Sequence, residues 1–190
     1  WSWDFGDGGN SGIKNPTHTY TTPALYTVAL TINNSPVYKK TRIGYIQVLP
    51  NRASPYTVAN GDGGSFESSP LDFGAENIAG TPYESGNSAV AGKNGTVSGA
   101  KAWVTGLAAA NYLDNSQSTL YAPNYNLTAA GSYFLSFYGK WRFEKNYDGF
   151  RIEYSLNKGT TWIPLGSYNA ATWYNFNNTA GTAAFPVNEP

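Results

Sequence analysis

His18 is the single histidine of a 190-residue chain that contains no cysteine. Nucleophilic and acid–base catalysis lean heavily on imidazole and thiol groups, and here no Ser-His-Asp or Cys-His set can be assembled with confidence. An isolated histidine is usually a satisfied polar group, and we read His18 as structural. Asp4 and Asp7 stand three apart in "DFGDG". That spacing brings a calcium loop to mind, but the run of oxygen ligands ending in glutamate is absent, which leaves turn capping as the expected role. The other carboxylates are scattered: Glu67, Asp72, Glu76, Glu84, Asp114, Glu144, Asp148 and Glu153. A glycosidase pair needs two of them about 5 to 10 Å apart, a distance that spacing along the chain does not report. For Asp148 in "YDG" two roles stay open, turn stabilisation and a structural calcium shared with Glu67 and Asp114 from other loops. No other cofactor is implied.

Binding chemistry has more material. Aromatic residues make up 16% of the chain, and flat rings stack on the apolar faces of pyranoses while nearby polar groups bond the hydroxyls. Most rings must fill a core that has no methionine, Trp103 among them. Tyr138 by strand parity, and Trp173 and Tyr174 by their place in "NAATWYNFNN", are the rings expected outside. Arg142 and Arg151 complete the candidate ligand set, on a mixed charged face with Lys140 and Glu153 that reads equally as solvated sheet surface. Net charge is zero and only 13% of residues are charged, so the electrostatic drive for nucleic-acid binding is missing. No apolar run approaches the roughly 20 residues of a membrane span.

The elements that must position these groups read as strands. Trp1, Trp3 and Phe5 recur at period two and share one face, with Ser2 and Asp4 on the other. "ALYTVALTIN" repeats the pattern with Tyr26, Val28, Leu30 and Ile32 inward, and "YKKTRIGYIQVL" follows with a break around Gly44. Glycine, proline and tyrosine are plentiful, and no convincing helical spacing occurs. "WDFGDG", "NPTHTY" and "LYTVALTI", in that order and spacing, resemble the C-terminal half of a PKD domain, an immunoglobulin-like sandwich. The resemblance covers residues 1 to about 50, with Ala24-Leu25 where the family usually has glycine. It implies structural roles for Trp3, Asp4, Asp7, His18 and Tyr20. It also implies missing upstream strands, so part of the Trp1, Trp3 and Phe5 face is expected to lie open.

"LPNRASPYTVANGDGGSFE" lacks alternation and reads as a linker over residues 51–65. Beyond it, "SYFLSFYGKWRF" and "GFRIEYS" are expected to pair as a hairpin, with Phe143 opposite Phe150, Trp141 opposite Ile152 and Gly139 opposite Tyr154. "SLNKGTTW" resembles an Asp-box, with Asn157 in the aspartate's place. There Ser155, Asn157, Gly159 and Trp162 are structural: Asn157 accepts backbone N–H bonds, Gly159 takes positive φ and Trp162 packs beneath. Residues 66–190 as a whole are similar to the jelly-roll domains of large secreted bacterial proteins and to MAM and reelin-type modules, galactose-binding-like in shape, with a closing strand expected beyond the C-terminus.

The fold expected is all-β: a partial immunoglobulin-like sandwich of the PKD type over 1–50, a linker over 51–65, and a jelly-roll sandwich over 66–190, truncated at both ends. The function these resemblances imply is a non-catalytic fragment of a large extracellular or cell-surface bacterial protein. Its partners would be a polysaccharide, a cell-surface glycan or protein, and neighbouring domains of the same polypeptide. The alternative is an accessory region of a secreted peptidase or glycoside hydrolase whose catalytic domain lies elsewhere.

Overall fold

The computed structural model describes residues 1–53, 56, 66–67, 72–144 and 147–166. Among these, regular structure is β, with no α-helix. The chain divides into two units, residues 1–133 and 134–190.

The first unit opens with strands β1 (Ser2–Asp4), β2 (Asn10–Ser11), β3 (Ala24–Ile32) and β4 (Ser35–Val48). They form one antiparallel sheet in the order β2-β1-β3-β4. Trp3 lies opposite both Ser11 and Leu30, and Leu30 lies opposite Lys40, so the alternation read from the sequence sets the faces. Asn33 and Asn34 take φ of 53° and 50°, the left-handed pair that a tight hairpin turn needs, and join β3 to β4. The alternation breaks at Gly44 because β4 bulges there. Gly44 takes a φ of 58°, the register shifts between Tyr26 and Val28, and the Thr27 hydroxyl accepts the Gly44 N–H at 3.2 Å.

The core of this sheet is small: Phe5, Tyr26, Val28 and Ala29 are buried. Part of its aromatic face is covered by the chain itself. His18 stacks on Phe5 with ring centres 4.0 Å apart, and Tyr20 stacks on Tyr26 at 4.5 Å. Trp1 stays 47% exposed and Trp3 is half-buried, so the expected open face is real at its Trp1 end and closed at Phe5. The outer edge of β4 is lined by exposed Pro36, Lys39, Lys40 and Arg42. Proline and cations are what keep an open edge from pairing further.

The rest of the unit contains β5 (Asn51–Ala53), β6 (Gly74–Ala79), β7 (Tyr83–Gly86), β8 (Ala102–Thr105), β9 (Gln117–Tyr121) and β10 (Asn124–Asn126). β6 pairs with β9 and β7 with β8, both antiparallel, while β5 pairs in parallel with β10. The stretch read as linker therefore begins as a strand.

In the second unit, β11 (Glu153–Tyr154) pairs with β12 (Ile163–Pro164) across the "SLNKGTTW" loop. The hairpin expected between 132–143 and 149–155 does not form as a ladder. The Trp141 and Phe143 rings do meet Phe150, at 5.4 and 5.9 Å. Local bonds form beside it instead: the Glu144 carbonyl accepts the Tyr147 and Asp148 N–H groups in a turn, and the Ile152 carbonyl accepts the Leu165 N–H at 2.8 Å.

Candidate functional site

His18 and Asp7, the pair whose chemistry would suggest catalysis, are bonded to each other. The His18 Nε2–H donates to Asp7 Oδ2 at 2.7 Å, and Asp7 Oδ1 accepts the Gly9 N–H at 2.9 Å. The His18 bond, then the Gly9 amide, hold the Asp7 carboxyl below the usual carboxylate range. Asp4 caps the same turn by accepting the Gly6 N–H at 2.9 Å. Gly6 is required there: its φ is 81° and an added Cβ would lie 2.3 Å from the Thr27 carbonyl oxygen. Tyr20 donates its hydroxyl to the Phe5 carbonyl at 3.0 Å, and burial pushes its phenol up. Trp3 Nε1–H donates to the Ile13 carbonyl at 3.2 Å. These bonds brace the loop from Phe5 to Tyr20.

The Asn157 loop has the same character. Asn157 Oδ1 accepts the Thr161 N–H and Nδ2 donates to the Thr161 hydroxyl, both at 2.9 Å, while the Ser155 hydroxyl accepts the Gly159 N–H at 2.7 Å. Gly159 takes a φ of 83°, and the Trp162 ring lies beside it.

The binding candidates are spread out. Tyr138 is 84% exposed, Arg142 is exposed, and neither makes a hydrogen bond or ion pair among the described residues. Arg151 is half-buried and pairs with Glu153 at 2.8 Å, so its charge is partly answered two residues along the chain. Trp173 and Tyr174 lie outside the described residues.

The calcium candidates are each engaged in backbone contacts or stand apart. Glu67 Oε1 accepts the Ala100 and Lys101 N–H groups at 2.9 and 2.8 Å, Asp148 accepts the Glu144 N–H at 3.2 Å, and Asp114 is exposed. Among the described residues no three histidine or acidic side chains group as a metal site would.

Sequence reading missed two features. Asp72, 2% exposed, takes a two-pronged bond from the Arg52 guanidinium and the Tyr56 hydroxyl at 2.8 Å. Burial first, then Asp72, push the Tyr56 phenol well up, and the Tyr125 ring stands 5.5 Å from it. An arginine, a tyrosine and an aspartate inside a stretch of turn composition were the only signal. The second is an open concavity of about 460 Å³ bordered by Thr81, Pro82, Glu84, Asn111 and Leu113. Its Glu84 carboxylate is already bonded to the Leu107 N–H at 2.6 Å.

In residues 1–48 the antiparallel sheet, the turn braced by Asp4 and Asp7, and the His18 ring over Phe5 hold one another in place. Residues 1–48 match the family model of the PKD domain. PKD domains are non-catalytic modules, typical of extracellular proteins. No curated protein and no solved structure matches the chain. Among the described residues, no helix is long and apolar enough to cross a membrane.

Proposed function

We propose that this chain is a non-catalytic part of a large secreted or cell-surface bacterial protein, in which residues 1–50 act as a PKD spacer and residues 66–190 as a jelly-roll module for adhesion or carbohydrate binding. The observation that carries the reading is the PKD match over residues 1–48, in which the only imidazole is locked against Asp7. The Asn157 loop is in this reading an Asp-box-like hairpin, a structural staple outside the binding surface. The surface itself centres on Tyr138, whose exposed ring is open to stack on a sugar face, with Arg142 four residues further along the same extended segment. Binding of the full chain to a glycan array, compared with Tyr138→Ala and Arg142→Ala, tests it. Binding to a defined polysaccharide that falls at least tenfold in Tyr138→Ala supports the reading. Equal binding by all three proteins, or binding to no glycan, removes the carbohydrate role from this segment.

A further inference from the structure

Asn94 and Gly95 stand together in "GKNGTVSG". They follow a turn in which the Val90 carbonyl accepts both the Lys93 and the Asn94 N–H, at 3.0 and 3.1 Å. Both residues are exposed. Neither the Asn94 side-chain amide nor the Gly95 N–H makes a hydrogen bond among the described residues. Gly95 takes a φ of 84°, and nothing lies within 4 Å of the place a Cβ would occupy. The turn therefore anchors the Asn94 backbone and leaves unengaged the two groups that stand to react with each other. A backbone nitrogen with no side chain on its own α-carbon is the least hindered nucleophile that a chain offers to the amide carbon before it.

Every other asparagine among the described residues precedes a residue with a side chain. Several are also held by their own amides: Asn77 Nδ2 donates to the Gly80 carbonyl, Asn126 Oδ1 accepts the Thr128 N–H, and Asn157 is bonded through both side-chain atoms to Thr161. The second Asn-Gly pair of the sequence, Asn60-Gly61, lies outside the described residues.

We propose that Asn94 is a site of self-modification, where the chain converts its own asparagine to an acid. The Gly95 nitrogen gives its proton to hydroxide and attacks Asn94 Cγ. A new N–C bond closes a five-membered imide while the Cγ–Nδ2 bond breaks, and Nδ2 takes a proton from water and leaves as ammonia. Water then opens the imide at either carbonyl. Attack at Cγ gives aspartate, whereas attack at the main-chain carbonyl leaves the chain running through Cγ as isoaspartate. One water is consumed and one ammonia released, and nothing is oxidised or reduced. Either product adds one negative charge to a chain whose net charge is zero.

Peptide mapping by mass spectrometry tests this on the full chain, kept folded at mildly alkaline pH and digested at intervals. The peptide containing Asn94 is expected to gain the mass difference between an amide and an acid and to split into two chromatographic forms, aspartate and isoaspartate. Its conversion rate should rise about tenfold per pH unit, following the fraction of deprotonated backbone amide. Asn94→Gln must close a larger ring from a displaced amide carbon and should slow the conversion at least about tenfold. Because the Asn94 side chain is exposed and unbonded, this variant keeps the parent's melting curve. Gly95→Ala, which crowds the nitrogen, should slow it as well. An Asn94 peptide that keeps its mass in the folded chain, while the urea-unfolded chain gains it, overturns the proposal, since the fold would then hold the two groups apart. Conversion of Asn77, Asn126 or Asn157 as fast as Asn94 overturns it too, because neither the glycine nor the unengaged amide would then matter.

Discussion

The His18 imidazole lies flat on the Phe5 ring, 4.0 Å centre to centre and 4° from parallel, while its Nε2–H reaches Asp7 Oδ2 at 2.7 Å. One side chain thereby covers Phe5, just past β1, and ties down the turn that follows it. The arrangement follows from the strand pattern, which brings Phe5 to the inner face, and from the turn, which returns the chain past it. In a small sheet with few buried residues, such a lid replaces part of a second layer.

That relationship predicts an acid dependence. The Asp7 carboxyl is held below its ordinary value by His18 first and by the Gly9 amide next. A carboxylate depressed in the folded state contributes stability above its unfolded value, near 4, and loses the contribution as pH falls through the folded value. The melting temperature of the parent chain should therefore drop as pH is lowered from about 5 to about 2. Asp7→Asn should show a shallower drop over the same range. Parallel melting curves for the two proteins across this range would contradict the assignment.

Much of the N-terminal sheet was legible because burial on one face forces period-two alternation, and Trp3, Phe5, Tyr26 and Val28 obey it. The break at Gly44 was legible for the same reason, as a bulge is where alternation fails. The Asn157 loop could be read because its bonds are local. What could not be read was pairing between distant segments. Alternation predicts a hairpin of residues 132–143 with 149–155, yet only ring contacts to Phe150 form there, and the parallel pairing of β5 with β10 has no local signature at all. Arg52 and Asp72 stand 20 residues apart, in a stretch whose Pro, Asn and Gly content hides an ion pair that only the fold brings together.

The ion pair carries the second prediction. Asp72 is nearly fully buried and gathers bonds from Arg52 and Tyr56. Asp72→Ala should cost about 2 to 3 kcal/mol in urea unfolding, since buried hydrogen bonds to a charge are lost and their donors face a cavity. Tyr56→Phe removes a single bond and should cost about 1 kcal/mol. Two variants of equal stability to the parent would mean that the cluster lies outside the cooperative core.

The same cluster predicts an alkaline limit. Burial first, then the Asp72 carboxylate, raise the Tyr56 phenol, and burial raises the Tyr125 phenol beside it. A raised phenol contributes stability that is fully present below the unfolded value, near 10, and lost as pH climbs toward the folded value. In a spectrophotometric titration Tyr56→Phe and Tyr125→Phe should each remove a late-ionising phenol and leave the early ones unchanged. Loss of an early-ionising phenol instead would show that these rings are open to water.

The Asn157 loop is the most sharply testable element of the second unit, because its bonds are local and run through two side chains, Ser155 and Asn157. Gly159 occupies a left-handed conformation, so Gly159→Ala should cost about 1 to 2 kcal/mol. It would also press a methyl group to 3.3 Å from the Trp162 ring, changing that residue's near-ultraviolet circular dichroism. Asn157→Ala frees the Thr161 amide, which should then exchange with solvent several-fold faster, whereas Asn157→Asp keeps an acceptor in place and should retain most of the protection. The aspartate variant is the informative one: if it exchanged as fast as alanine, the loop would depend on the Nδ2 bond to the Thr161 hydroxyl rather than on the bond from the backbone.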